Sequence, residues 1–151
     1  MRPVGTSENK GKPGRPDWLC WAALCARIAL GVAFLSGIAD RFGLYRGRNV
    51  GYGDFAGFVR YTAKVNSFMP ASTIPFLAWA ATVAELFFGI TLILGIWRVW
   101  VALGSAVLLI LFGTAMAISF GIKSPLDYSV FSASSAALLV AAYESRRKEW
   151  K

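Results

Sequence analysis

The sequence predicts an all-α polytopic membrane protein: a four-transmembrane-helix bundle with an interfacial amphipathic helix between the first two spans. Three observations support this fold class. Of the 151 residues, 56% are hydrophobic and only 16% are charged, whereas soluble domains average about 25% charged residues. The mean hydropathy is +0.53. The hydrophobic residues also fall into four long runs, and a membrane-crossing helix needs about 20 such residues.

The four runs predict spans at about residues 18–38, 75–96, 99–120 and 126–143. Short turns at Arg98 and Lys123 separate the last three spans. Residues 1–16 predict a flexible basic tail, because their glycines, prolines and charges cannot form a core. Residues 144–151 predict a second basic tail. The helix bundle therefore covers residues 17–143.

The distribution of basic residues predicts the orientation of the bundle. With the N-terminus inside, the two tails and the turn at Arg98 place nine Lys and Arg residues on the cytoplasmic side, against six on the other side. We therefore expect a multi-pass protein of a bacterial-type cell (inner) membrane with both termini in the cytoplasm. The net charge of +8 fits contact with anionic lipid and does not indicate nucleic-acid binding.

The one long connection, between the first two spans, contains a predicted amphipathic helix at about residues 54–69. Asp54 is a suitable N-cap, and Arg60 and Lys64 share one side of the helix. Apolar side chains and one threonine recur at spacings of three and four residues along one face, at Phe55, Phe58, Val59, Thr62, Val65 and Met69. Such a helix is expected to lie in the membrane interface. It is either a lid packed on the end of the bundle or a rim that controls lateral entry of a lipid-soluble molecule.

Two charged residues lie at the centres of predicted spans, Arg27 in the first and Glu85 in the second. An unpaired charge at the centre of a span costs about 2.5–3.5 kcal/mol on the insertion scale. Because adjacent antiparallel spans place both residues at the same depth, we expect an Arg27–Glu85 ion pair. The pair is either a structural clasp or the polar end of an intramembrane pocket for a quinone or a similar carbonyl ligand.

A second polar cluster is expected at the outer mouth of the bundle. It would combine residues from the ends of the first and fourth spans: Asp40, Arg41, Lys123, Asp127 and Tyr128. Helix capping and interfacial anchoring explain the same residues without a ligand. Three serines are candidate pocket-lining residues, namely Ser36, Ser132 and Ser135.

The residue types present limit the chemistry of this chain. Histidine is absent, which removes the commonest metal ligand and the usual general base. Cys20 and Cys25 lack the spacing of a redox motif and point in different directions on a helix. No metal site, no intrinsic cofactor and no autonomous catalytic motif is predicted. A redox role would need a diffusible quinone or a cofactor on a partner.

Two segments resemble the DoxX family of small four-helix membrane proteins. Residues 27–37 (RIALGVAFLSG) are similar to its first-helix signature. Ala84-Glu85, followed by Gly89, Leu92, Gly95 and Arg98, is similar to its second-helix signature. The resemblance covers roughly residues 20–142. Where many members have histidine, this chain has Ser36.

The resemblance implies a membrane subunit of a quinone-linked oxidoreductase, because relatives include a subunit of thiosulfate:quinone oxidoreductase. Other members act as membrane partners in oxidative-stress complexes. The alternative function is therefore a non-catalytic membrane anchor or assembly factor. Either function implies contact with the lipid bilayer and a protein partner or a homo-oligomer.

Overall fold

The computed structural model describes residues 17–45, 47 and 51–148, and all regular structure in this part of the chain is helical. The all-α class is confirmed. The predicted tail at residues 1–16 lies outside the described residues, as do residues 149–151. The helices are α1 (Asp17–Arg41), α2 (Phe55–Val65), α3 (Ile74–Leu94), α4 (Arg98–Phe120), α5 (Lys123–Asp127) and α6 (Val130–Lys148).

Within the described part of the chain, three helical segments are long and apolar enough to cross a membrane: Trp18–Arg41, Ala71–Leu94 and Arg98–Phe120. They coincide closely with the first three predicted spans. The fourth run differs from the prediction, because its first residues form the separate short helix α5 and Ser129 takes a left-handed φ of 55° before α6 begins. At its other end α6 continues through Lys148, five residues into the predicted tail.

The four long helices form a ring in which α1, α3, α4 and α6 each contact the next, and α6 contacts α1. Successive helices are antiparallel. For example, Gly113 of α4 faces Phe131 of α6, while Ala102 at the other end of α4 packs against Val140. Every long helix contributes to the central core, which contains Leu30, Phe34, Leu92, Val101, Ala106 and Ala137.

The alignment of α1 along α3 is set by two glycines. A Cβ atom on Gly31 would lie 2.9 Å from the Gly89 carbonyl oxygen, and a Cβ atom on Gly89 would lie 3.2 Å from the Gly31 carbonyl oxygen. The two backbones therefore touch at this level, as small residues permit in membrane helix pairs. This contact places Gly31 of α1 opposite the C-terminal third of α3.

Helix α2 packs across the end of the bundle where α1 and α4 finish and α3 begins. Asp54 accepts a hydrogen bond from the Gly57 N–H and is the N-cap that the sequence predicts. The buried face of α2 carries Phe58, Thr62 and Val65. Its C-terminal end is held by the Ser119 hydroxyl of α4, which donates to the Val65 carbonyl at 2.6 Å. This packing favours the lid interpretation.

Candidate functional site

A buried ion pair joins α1 and α3 beneath the lid helix α2. Arg41 Nη2 lies 2.7 Å from both carboxylate oxygens of Glu85, and Arg41 Nη1 donates to the Thr82 hydroxyl at 3.1 Å. Each ion-pair partner is only 4% exposed. Charge-assisted hydrogen bonds of this length are among the stronger ones in proteins.

Side-chain direction brings Arg41 to Glu85. Side chains on a helix tilt toward its N-terminus, so Arg41 in the last turn of α1 reaches back into the bundle. Gly37 lies one turn earlier, and a Cβ atom there would be 3.4 Å from the Glu85 Oε2 atom and 3.9 Å from Arg41 Nη2. Gly37 therefore lies directly beside the ion pair, in van der Waals range of both partners.

Aromatic rings lie next to the Arg41 guanidinium. The Arg41 Cζ atom lies 3.6 Å from the centroid of the Phe58 ring and 5.9 Å from that of Tyr52. The Tyr52 and Phe58 rings contact each other edge to face at 5.0 Å. Two buried polar atoms have no hydrogen-bond partner among the described residues, Arg41 Nε and Asp40 Oδ1. The Arg41 Nε–H group is thus a buried donor with nothing to donate to.

Burial raises the pKa of Tyr52, which precedes α2, from about 10 to about 12, and the nearby Tyr61 phenol adds to this shift. The native state then holds the phenolic proton more tightly than the unfolded chain. The resulting stabilisation is present below pH 10 and is lost as the pH rises from about 10 to 12. We expect the unfolding temperature to fall more steeply across this range in the wild type than in Tyr52→Phe. Identical pH profiles of the two proteins would contradict the assignment.

The predicted Arg27–Glu85 pair does not form. Glu85 pairs with Arg41, and Arg27 forms an ion pair with Glu144 of α6. The prediction aligned the centres of the two spans, whereas the Gly31–Gly89 contact shifts α1 along α3. Arg27 therefore lies level with Leu92 and Ile93, and the end of α1 lies level with the middle of α3.

Arg27 instead caps the C-terminus of α3. Its Nε donates to the Leu92 carbonyl at 3.0 Å, and its Nη2 lies 3.5 Å from the Ile93 carbonyl. Cations are favourable at this negative end of the helix dipole. A Cβ atom on Gly95 would lie 2.6 Å from Arg27 Nη2, so the left-handed glycine that ends α3, with φ 72°, also makes room for the guanidinium.

Glu144 is a site residue that the sequence reasoning missed. It is 6% exposed and forms ion pairs with three arginines, with Arg27, Arg98 and Arg147 nitrogens at 3.6, 3.6 and 3.7 Å from its oxygens. Its spacing in the sequence does indicate burial. Glu144 lies three residues after Ala141, on the same face of α6 as the buried small residues Ala137 and Ala141.

An open cavity of about 270 Å³ adjoins this cluster and is called the arginine groove here. Arg27, Arg98, Arg147 and Glu144 supply its charges, and Trp21 and Tyr143 line its wall. Cys20 also borders it, with its Sγ atom 2.8 Å from the Tyr143 hydroxyl. Cys20 and Cys25 are both free thiols. The groove is at the opposite end of the bundle from α2.

The predicted outer-mouth residues find separate partners. Asp40 accepts the Gly51 and Tyr52 N–H groups, each at 3.0 Å, and so holds the loop before α2. Lys123 and Asp127 pair with each other along the exposed side of α5. Arg41 points inward, and Tyr128 is 70% exposed. These residues therefore do not form the single cluster that was expected.

The three candidate serines do not border the arginine groove. The Ser36 hydroxyl lies 3.0 Å from the Tyr45 hydroxyl on the outside of α1. Ser135 donates to the Phe131 carbonyl one turn earlier, and Ser132 is exposed. A hydroxyl bonded to its own helix is satisfied without a ligand. Among the described residues, no group of three or more potential metal ligands comes together.

One comparison with known protein families gives a match. A family model described as DoxX matches residues 22–118, which is more than half of the chain and includes Arg27, Arg41 and Glu85. No curated protein and no solved structure matches the chain. With its long apolar helices and this match, the chain is a multi-pass membrane protein and belongs to the DoxX family.

Proposed function

We propose that this chain is the membrane subunit of a quinone-linked oxidoreductase and that a quinone head group binds between α2 and the bundle, beside Arg41. The observation that carries this proposal is the buried Arg41 Nε–H group without an acceptor. A buried donor without a partner costs about 1–3 kcal/mol. A carbonyl oxygen is the acceptor that would remove this cost.

The surrounding side chains fit a quinone ring. Phe58 and Tyr52 offer aromatic faces next to Arg41. The Tyr52 phenol is protonated at neutral pH, as tyrosine ordinarily is, and burial raises its pKa further. Tyr52 is therefore a hydrogen donor for a second carbonyl. The Glu85 carboxylate, held by Arg41, lies beside them and would accept a proton. A quinone supplies two-electron redox chemistry when bound, and a partner protein that holds its own redox centre would supply the electrons.

The membrane arrangement is part of the proposal. Helix α6 has 19 residues, a length of about 28 Å, and packs antiparallel along α4. We take it as the fourth span. Helix α2, with its buried face on the bundle and Arg60 and Lys64 outside, then lies in the interface of the bacterial inner membrane. Both termini face the cytoplasm, on the side of the arginine groove.

The second candidate function is a non-catalytic anchor or assembly factor for a partner protein, or a homo-oligomer. The closed geometry of the Arg41–Glu85 pair favours it. Two carboxylate oxygens, the Thr82 hydroxyl and the Phe58 ring already surround the guanidinium. On this view the pair only clasps α1 to α3, and a bound water satisfies Arg41 Nε.

The replacement Arg41→Lys separates the two functions. Lysine keeps the positive charge beside Glu85 but has no Nε–H group at this position. We expect the wild type in detergent to bind decylubiquinone, measured by isothermal titration calorimetry, and Arg41→Lys to bind it at least about tenfold more weakly. Thermal unfolding is measured in parallel to show that the variant is folded.

Arg60→Lys is the matched control, because the side chain of Arg60 on α2 is 71% exposed, whereas that of Arg41 is 4% exposed. It should bind the quinone as the wild type does. A wild-type protein that binds no decylubiquinone would exclude the quinone site and leave the anchor function. Equal binding by Arg41→Lys would place the quinone elsewhere.

A further inference from the structure

The arginine groove carries more positive charge than its own carboxylate neutralises. Three guanidiniums surround Glu144, which leaves two positive charges in excess. Their closest nitrogens lie 3.6–3.7 Å from the carboxylate oxygens, whereas a charge-assisted hydrogen bond is about 2.7–2.9 Å long. Glu144 therefore holds the arginines together without using their donors fully.

Backbone carbonyl groups hold two of the three arginines in place. Arg27 is buried and bound to the α3 carbonyls, and Arg98 Nε donates to the Gly95 carbonyl at 3.1 Å. Arg147 lies one turn after Glu144 on α6. The side chains of Arg98 and Arg147 remain 39% and 41% exposed, so their outer N–H groups are accessible from the cavity. Such a cluster of guanidinium groups suits the oxygens of a phosphoryl group.

The position of the groove indicates where that phosphoryl group comes from. Four tryptophans surround this end of the bundle, and each is at least 66% exposed: Trp18, Trp21, Trp97 and Trp100. Exposed tryptophans concentrate at the level of the lipid head groups. Basic pockets between membrane helices at that level bind anionic head groups.

We propose that the arginine groove binds the phosphate of an anionic phospholipid, with Arg98 and Arg147 as its ligands and Arg27 behind them. The cavity of about 270 Å³ has room for a phosphodiester, since one water molecule occupies about 30 Å³. Trp21 flanks the site where the acyl chains would leave it. This site is independent of the quinone proposal, because it lies at the other end of the bundle.

The test compares two neighbouring arginines. Arg147 lines the groove, whereas Arg146 is exposed and does not line it. Full-length protein in detergent is titrated with phosphatidylglycerol or phosphatidylcholine, and bound lipid is counted by native mass spectrometry. We expect the wild type to bind phosphatidylglycerol at least about tenfold more tightly than phosphatidylcholine, because two arginines would contact the anionic lipid. The double variant Arg98→Gln/Arg147→Gln should lose this preference, and Arg146→Gln should keep it.

A second arm uses inorganic phosphate and measures the unfolding temperature of the same proteins. Stabilisation by phosphate that depends on Arg98 and Arg147, without a preference for phosphatidylglycerol, would keep the phosphoryl site but overturn its lipid source. An equal loss of lipid preference in Arg146→Gln would mean that general surface charge attracts the lipid, and the site would be refuted. The site is also refuted if neither probe depends on Arg98 and Arg147.

Discussion

Replacing Glu85 by alanine is expected to lower the free energy of unfolding by about 3–5 kcal/mol. The reason is that Arg41 would remain charged and 4% exposed between Thr82 and Phe58 with no counter-ion. Removing one member of a buried pair leaves the desolvation cost of the other uncompensated. Equilibrium unfolding in detergent, followed by circular dichroism, measures the change.

Two further variants make this result specific. Asp127→Ala also removes a paired carboxylate, but that pair is exposed, so a loss of at most about 1 kcal/mol is expected. The double variant Arg41→Met/Glu85→Leu should recover most of the stability, because apolar residues often replace a buried pair without cost. A Glu85→Ala effect as small as that of Asp127→Ala would show that the pair does not stabilise the fold.

Replacing Gly31 by leucine is expected to cost about 1–3 kcal/mol, the usual range for overpacking. A Cβ atom at Gly31 would lie 2.6 Å from Ile93 Cγ1 and 2.9 Å from the Gly89 carbonyl oxygen. Helix α1 would have to move away from α3. This movement would also disturb the contacts of Arg27 and Arg41 on either side.

Ala29→Leu is the matched control, because Ala29 lies two residues away on the exposed side of α1. It adds a similar side chain where lipid accommodates it, and no loss of stability is expected. The unfolding temperatures of Gly31→Leu and Ala29→Leu are measured in the same detergent. Equal unfolding temperatures of the two variants would mean that the Gly31–Gly89 contact does not set the position of α1.

Much of the site was already visible as helical spacing. Arg27, Leu30, Phe34 and Arg41 are buried on one side of α1, each three, four or seven residues from the next. Arg41 therefore lies on the same face of α1 as Arg27. In the same way, Glu144 lies on the face of α6 that carries Ala137 and Ala141. The sequence nevertheless predicts Arg41 at the outer mouth of the bundle and Glu144 in the C-terminal tail, because a charge next to a polar segment is normally solvated.

The pairing of these charges could not be predicted from the sequence. A hydrophobic run gives the ends of a helix to within a few residues, but it does not give the displacement of one helix along another. That displacement depends on which small residues touch. Here Gly31 meets Gly89, and Arg41 replaces Arg27 as the partner of Glu85 as a result.

The sequence by itself determined the class of the protein, the positions of the first three long helices and the N-cap of α2. Composition and periodicity suffice for these features, because they follow from each residue's preference for lipid, water or a helix end. Only the tertiary structure decided that Arg41 clasps Glu85 under α2 and that three arginines gather around Glu144. Apart from the local Arg147–Glu144 pair, these contacts join residues 44 to more than 100 positions apart. Their geometry depends on backbone packing that no local pattern encodes.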